Sequence, residues 1–132
     1  MVEVVLDSDV LIDWLRGDPK TGQVLERLIA KPFQYSFYIT SITDFELLVG
    51  GFKTGTQTLV QSKIATFDTL NFDSRAAEIA ARLFAELTVR GKTPPLKDLF
   101  IAAICISFDL PLATRNKRDF EQFKELRILD LA

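Results

Sequence analysis

Four carboxylates in this chain, Asp7, Glu46, Asp98 and Asp119, stand where a hard cation could be gathered. Asp7 directly follows the apolar run Val2-Glu3-Val4-Val5-Leu6. Glu46 falls in the first turn of a helix expected after a second strand. Asp98 opens an apolar helix behind Pro94-Pro95, and Asp119 follows a short strand that ends at Thr114. Each lies at or near an expected helix start, where free N–H groups and the helix dipole favour the ionised form. Ionised carboxylates are the natural ligands of Mg²⁺ or Mn²⁺. Crowding several of them together costs repulsion unless a cation offsets it. Each acid also has a plainer role open to it. Asp7, Ser8 or Asp9 would serve as a helix cap. Thr43-Asp44-Phe45-Glu46 fits a capping box. Asp98 would cap the helix it begins, and Asp119 would be a solvated loop charge.

The residues that are missing narrow the chemistry further. The chain has no His, which removes Ser-His-Asp triads, Cys-His pairs and His-based zinc sites together. Carboxylates, Lys, hydroxyls and bound metal remain. Cys105 has no partner for a bridge and, inside the apolar run Ile101 to Ile106, reads as core packing. The net charge of −2 argues against a coat protein that binds nucleic acid through a basic surface. It is compatible with an RNA-cutting enzyme, because acidic ligands themselves lower the charge. Arg115-Asn116-Lys117-Arg118 is the one dense basic cluster. Trp14, close to Asp7, is open to core, partner or RNA contact.

The elements that must position these groups are readable from pattern. Val2 to Leu6 predicts a buried parallel strand. Asp7-Ser8-Asp9 starts a short helix through Trp14 to Arg16, which Gly17-Asp18-Pro19 stops. Thr21 to Ala30 predicts a helix with Val24, Leu25, Leu28 and Ile29 on one face, and Tyr35 to Ile39 a strand. Helices are expected over Thr43 to Phe52, stopped at Gly50-Gly51, over Gln57 to Ala65, and over Asp73 to Arg90. A nearly all-apolar helix is expected over Leu99 to Phe108, with short strands at Pro111 to Thr114 and Leu126 to Leu129. Strands alternating with helices predict an α/β fold with a mainly parallel sheet covered on both faces, whose site lies beyond the carboxyl ends of the strands. At 48% hydrophobic residues, residues 1–132 are expected to form one domain. The N-terminus lacks the pattern of a secretion signal and the apolar runs are too short to span a bilayer. A soluble cytoplasmic protein is therefore expected.

The motifs, taken in order, resemble a family. Val4-Val5-Leu6-Asp7-Ser8-Asp9-Val10-Leu11-Ile12 resembles the opening motif of PIN-domain ribonucleases, and most closely the VapC-type toxins of toxin–antitoxin pairs. That family usually has Asn at the place of Asp9. Ser41 to Leu47 resembles the second motif, Lys97 to Ala103 the third, and Ala113 to Phe120 the fourth. The resemblance implies a PIN-like three-layer sandwich. It implies Asp7, Glu46 and Asp98 as core metal ligands, with Asp119 completing the set directly or through water. Ser8, Thr114 and Asn116 would hold these carboxylates by hydrogen bonds. Arg115, Lys117 and Arg118 would meet RNA phosphates, or simply be a solvated loop. A homodimer and a cognate antitoxin are implied as partners, with Leu47-Leu48-Val49 and the stripe from Ile79 to Leu87 as interface candidates. An antitoxin Arg entering the acidic pocket is the inhibitor the charges suggest.

Phosphodiester hydrolysis needs an activated water, charge relief on the phosphate and help for the leaving oxygen, and one or two divalent ions supply all three. Two other classes are open. A haloacid-dehalogenase-type phosphatase would use Asp7 as a nucleophile, but leaves Glu46 and the segment around Asp119 without a role. A PIN-like binding module without activity would tolerate loss of the acids, yet all four are present.

Overall fold

Val4, Val5 and Leu6 of β1 (Val2–Leu6) are completely buried, because β1 is the middle strand of a sheet covered by helices on both faces. This is why its sequence is apolar without alternation. The structure is a computed structural model and describes residues 1–131. From β1 the chain continues through α1 (Ser8–Arg16), α2 (Thr21–Ile29), β2 (Tyr35–Thr40), α3 (Ser41–Thr54) and α4 (Gln57–Ile64). It then passes through β3 (Asp68–Leu70), α5 (Ser74–Val89), α6 (Leu96–Ser107), β4 (Leu112–Ala113), α7 (Lys117–Phe120) and β5 (Ile128–Leu129).

The sheet order is β3-β2-β1-β4-β5 and every neighbouring pair is parallel. The chain walks outward from β1 to β3, then returns to the other side of β1 to lay down β4 and β5. The strand order therefore reverses between β1 and β4, and such a reversal opens a crevice beyond the strand ends. Two apolar clusters make the outer layers. Val5 and Leu112 meet Ala80, Leu83, Leu87, Leu99 and Ala102 from α5 and α6 on one face. Val4, Leu6, Phe37 and Ile39 meet Val10, Leu11, Leu25, Leu47 and Val60 from α1 to α4 on the other. Cys105 is fully buried in the first cluster. Among the described residues no helix is long and apolar enough to cross a membrane.

Four local expectations are corrected. The helix after β2 begins at Ser41, because Thr40 ends the strand and caps the helix, its hydroxyl accepting the Thr43 N–H at 3.1 Å. Glu46 therefore lies in the second turn, and the Thr43–Glu46 capping box is not formed. The same helix runs through Gly50 and Gly51 and ends at Gly55 (φ 72°). Gly51 is there for close approach: a Cβ would stand 3.0 Å from Gln57 Cα and 3.2 Å from Val60 Cγ2. α6 begins at Leu96, so Asp98 lies inside its first turn and Pro95 takes the cap position with no side-chain hydrogen bond. The edge strand β3 and the single turn α7 are additional to the expected elements.

Packing of α1 against α2 depends on Gly22. A Cβ there would lie 2.5 Å from the Asp13 carbonyl oxygen and 3.2 Å from Trp14 Cα. Gly22→Ala is expected to cost about 1–3 kcal/mol through this backbone clash, read as a lower urea midpoint. An unchanged midpoint would show that the two helices part without cost.

Candidate active site

The reversal of strand order brings together two segments 107 residues apart in sequence. Asp7 N–H donates to the Ala113 carbonyl at 2.9 Å, closing the β1–β4 ladder. One residue further on, the buried Thr114 hydroxyl donates to Asp7 Oδ2 at 2.7 Å. The other carboxylate oxygen, Oδ1, accepts the Ser8 N–H at 2.8 Å, which also makes Asp7 the N-cap of α1. Capping and site-building are thus one arrangement, since the same turn that ends β1 aims the carboxylate into the crevice. Thr114 Oγ1 in turn accepts the Asn116 N–H at 2.9 Å. The Ser8 contact comes from its backbone, so any residue but proline at position 8 supplies it; the Thr114 contact needs a hydroxyl.

Asp7 is only 5% exposed. Its carboxyl is pushed from 3.8 up to about 7, by burial first and then by the negative charges of Asp9 and Glu46, against the lowering effect of its two donors. Asp98 is raised as well, by burial and then by Asp119, Glu46 and Asp9. These influences define the group: Asp7 feels the charges of Asp9 and Glu46, and Asp98 those of Asp119, Glu46 and Asp9. β1, α1, α3, α6 and α7 each contribute to one negative crevice. Asp119 is held at its rim, where Asn116 Nδ2 donates to its Oδ2 at 2.9 Å.

Lys97 is a participant that motif reading passed over. Its Nζ lies 3.3 Å from Glu46 Oε2, and its position next to Asp98 was the available signal. Among the described residues, no three acidic or thiol side chains are arranged to hold an ion as they stand. The donor set nevertheless fits a hard divalent cation. It is all carboxylate oxygen, its members repel one another, and Asp9 Oδ1 is a buried oxygen with no hydrogen-bond partner.

The basic cluster divides its labour. Arg115 Nε pairs with Asp13 Oδ2 at 2.8 Å, and its backbone N–H donates to Asp9 Oδ2 at 3.0 Å. Both contacts tie the loop after β4 to α1. Lys117 pairs with Asp130 at 3.0 Å. Arg118 is exposed, and among the described residues it makes no ion pair. Trp14 is a packing residue: it meets Phe67 edge-on, carries Lys63 over its ring, and donates its Nε1–H to Glu26.

The family model described as PIN domain matches residues 4–126. "Ribonuclease VapC3" of Methanocaldococcus jannaschii is 35% identical over 103 residues, covering 78% of this chain and 98% of that protein. "tRNA(fMet)-specific endonuclease VapC" of Salmonella typhimurium is 28% identical and covers 98% of each chain. Among solved structures, DNA-bound VapBC from Salmonella typhimurium aligns over 100% of each chain with a TM-score of 0.86 at 26% identity.

Proposed function

The chain belongs to the PIN-domain family, and on that premise we propose that it is a divalent-metal-dependent endoribonuclease, the toxin of a VapBC-type pair. The observation that carries this reading is the carboxylate crevice at the β1–β4 reversal, where burial and neighbouring acids raise the proton affinity of Asp7 and Asp98. Mg²⁺ or Mn²⁺ is the proposed cofactor. When bound, it supplies the charge relief and water activation that hydrolysis of a phosphodiester requires.

The chain's own residues then have distinct tasks. Asp7, Glu46 and Asp98 hold the cation, and Asp119 completes the set from the rim. Thr114 fixes Asp7 by its hydroxyl, and Asn116 fixes Asp119 by its amide. Lys97 Nζ pairs with Oε2 of Glu46 at 3.3 Å, which leaves the other carboxylate oxygen to the cation and keeps an ammonium close by for a phosphate oxygen. Arg118 is the exposed cation beside the crevice for the RNA backbone, while Arg115 and Lys117 chiefly shape the loop.

The partners follow from two apolar surfaces. On α3, Phe45 and Phe52 are 60% and 65% exposed and Val49 is 37% exposed, a face suited to an antitoxin segment. Between α5 and α6, Phe72, Ala77, Ala81, Phe84 and Phe100 line an open apolar groove suited to a second copy of the chain. An antitoxin cation placed in the acidic crevice would inhibit by replacing the metal charge. A complex in which no basic side chain enters the crevice would refute that mode of inhibition. The proposed location is the cytoplasm, where RNA is available.

The deciding experiment is cleavage of a mixed RNA pool, transfer RNA included, with Mg²⁺ and Mn²⁺, with EDTA, and with Asp98→Asn. Cleavage is expected to require both the metal and Asp98, and the variant is expected to lose at least about 100-fold, the upper end of what loss of a supporting residue costs. Folded, metal-loaded protein that cuts nothing in the pool would favour a binding module.

A further inference from the structure

Asp9 is the one member of the crevice whose part is not accounted for by capping or by motif. It is not the N-cap of α1, since Asp7 fills that role. Its Oδ2 accepts the Arg115 N–H at 3.0 Å and lies 3.4 Å from the Thr114 hydroxyl, which donates its hydrogen to Asp7 at the shorter distance. Its Oδ1 is buried and has no partner. The guanidinium of Arg115, whose backbone meets Asp9, is engaged with Asp13 instead. A buried carboxylate oxygen without a partner is costly, and Asp9 stands beside Asp7, the two carboxylates lying 3.4 and 2.7 Å from the same Thr114 hydroxyl.

We propose that Asp9 is a ligand of the same divalent cation, supplying its Oδ1 beside Asp7 and Asp98. The inference rests on the metal-dependent reading above. The contact to Arg115 explains why a hydrogen-bond acceptor stands at position 9, but an amide oxygen would serve that contact equally well. A cation would give both the charge and the unpartnered oxygen their counterpart. Oδ2 then latches the loop after β4 while Oδ1 turns to the ion, so one side chain links the loop that carries Asn116 to the metal.

Asp9→Asn separates the two roles, because it keeps the shape and an acceptor for the Arg115 N–H while removing the charge. The parent and the variant are titrated with Mn²⁺ alone by calorimetry, without RNA, and melted in EDTA. The expected result is Mn²⁺ affinity at least about tenfold weaker in the variant, the scale at which supporting residues act on bound metal. The EDTA melting temperature should stay equal or rise, since repulsion of Asp7 is relieved. Equal affinities would overturn the proposal. Weaker affinity together with a lower EDTA melting temperature would also overturn it, marking Asp9 as a latch alone. A parent that binds no Mn²⁺ would overturn the metal-dependent reading and this inference with it.

Discussion

Asn in place of Asp7 is expected to abolish RNA cleavage and, in the same protein, to raise the melting temperature measured in EDTA. The two effects have one origin. Asp7 is buried and faces the charges of Asp9 and Glu46, so without a cation its ionised form is held in a place that disfavours it. A rise from 3.8 to about 7 corresponds to roughly 4 kcal/mol at neutral to alkaline pH. Asn removes the charge and keeps an oxygen for the Ser8 N–H. The Thr114 hydroxyl, which now donates to Asp7 at 2.7 Å, has Asp9 Oδ2 3.4 Å away as a second acceptor. The hydroxyl can therefore turn at little cost. With hydrogen-bond losses offsetting part of the gain, a stabilisation of about 2–3 kcal/mol remains, on the order of 10 °C for a domain of this size. Cleavage assays and melting in EDTA check the pair. A variant that still cuts RNA removes Asp7 from the ligand set, and one that melts lower in EDTA rules out stored repulsion at this position.

A second large effect is expected on pH dependence. The folded state holds the Asp7 proton more tightly than the unfolded chain does, so raising the pH works against folding between the two values. Below about 3.8 both states are protonated and Asp7 contributes nothing; between 3.8 and about 7 stability is progressively lost; above that the loss is complete. Asp98 shifts in the same direction. Metal reverses the trend, because protons and cations compete for the same oxygens and bound cation stabilises the fold by mass action. Urea denaturation at pH 5 and pH 8, in EDTA and then in Mn²⁺, isolates the effect when Asp7→Asn serves as the reference. In EDTA the parent should lose stability relative to the variant as pH rises, and Mn²⁺ should remove most of that difference at pH 8. A parent that gains on the variant in EDTA as pH rises would mean that the fold favours the ionised form of Asp7, the opposite sign.

Much of this arrangement could be read from residue order, and the reasons are specific. β1 announced itself because a strand buried on both faces has no freedom to carry polar residues, apart from Glu3 at its exposed start. Asp7 was visible because it breaks that run abruptly. Gly17 marked the end of α1 through its left-handed backbone (φ 67°). The Gly50-Gly51 pair misled, because Gly51, placed to let α4 approach, looks in sequence like a glycine placed to end a helix. β3 escaped notice because Asp68 and Thr69 are exposed and its three residues draw their strand character from the ladder with β2, a tertiary property. The partition of the basic cluster was equally hidden. Arg115 and Arg118 are alike as letters, and only the fold brings Asp13 to the one and leaves the other bare. Lys97 and the unpartnered oxygen of Asp9 depend on distances between helices that no local pattern encodes.

Because β1 is paired with β4, the acidic crevice has a place in time as well as in space. On the ribosome Thr114 follows Asp7 by 107 residues, roughly 5–20 s at ordinary synthesis rates. Until then Asp7 lacks its hydroxyl donor, and β1 has only β2 and then β2–β3 beside it. Within residues 1–131 the crevice is therefore completed late, after β1, β2 and β3 have been made. A truncated product ending before β4 would carry Asp7, Glu46 and Asp98 and still have no organised place to use them.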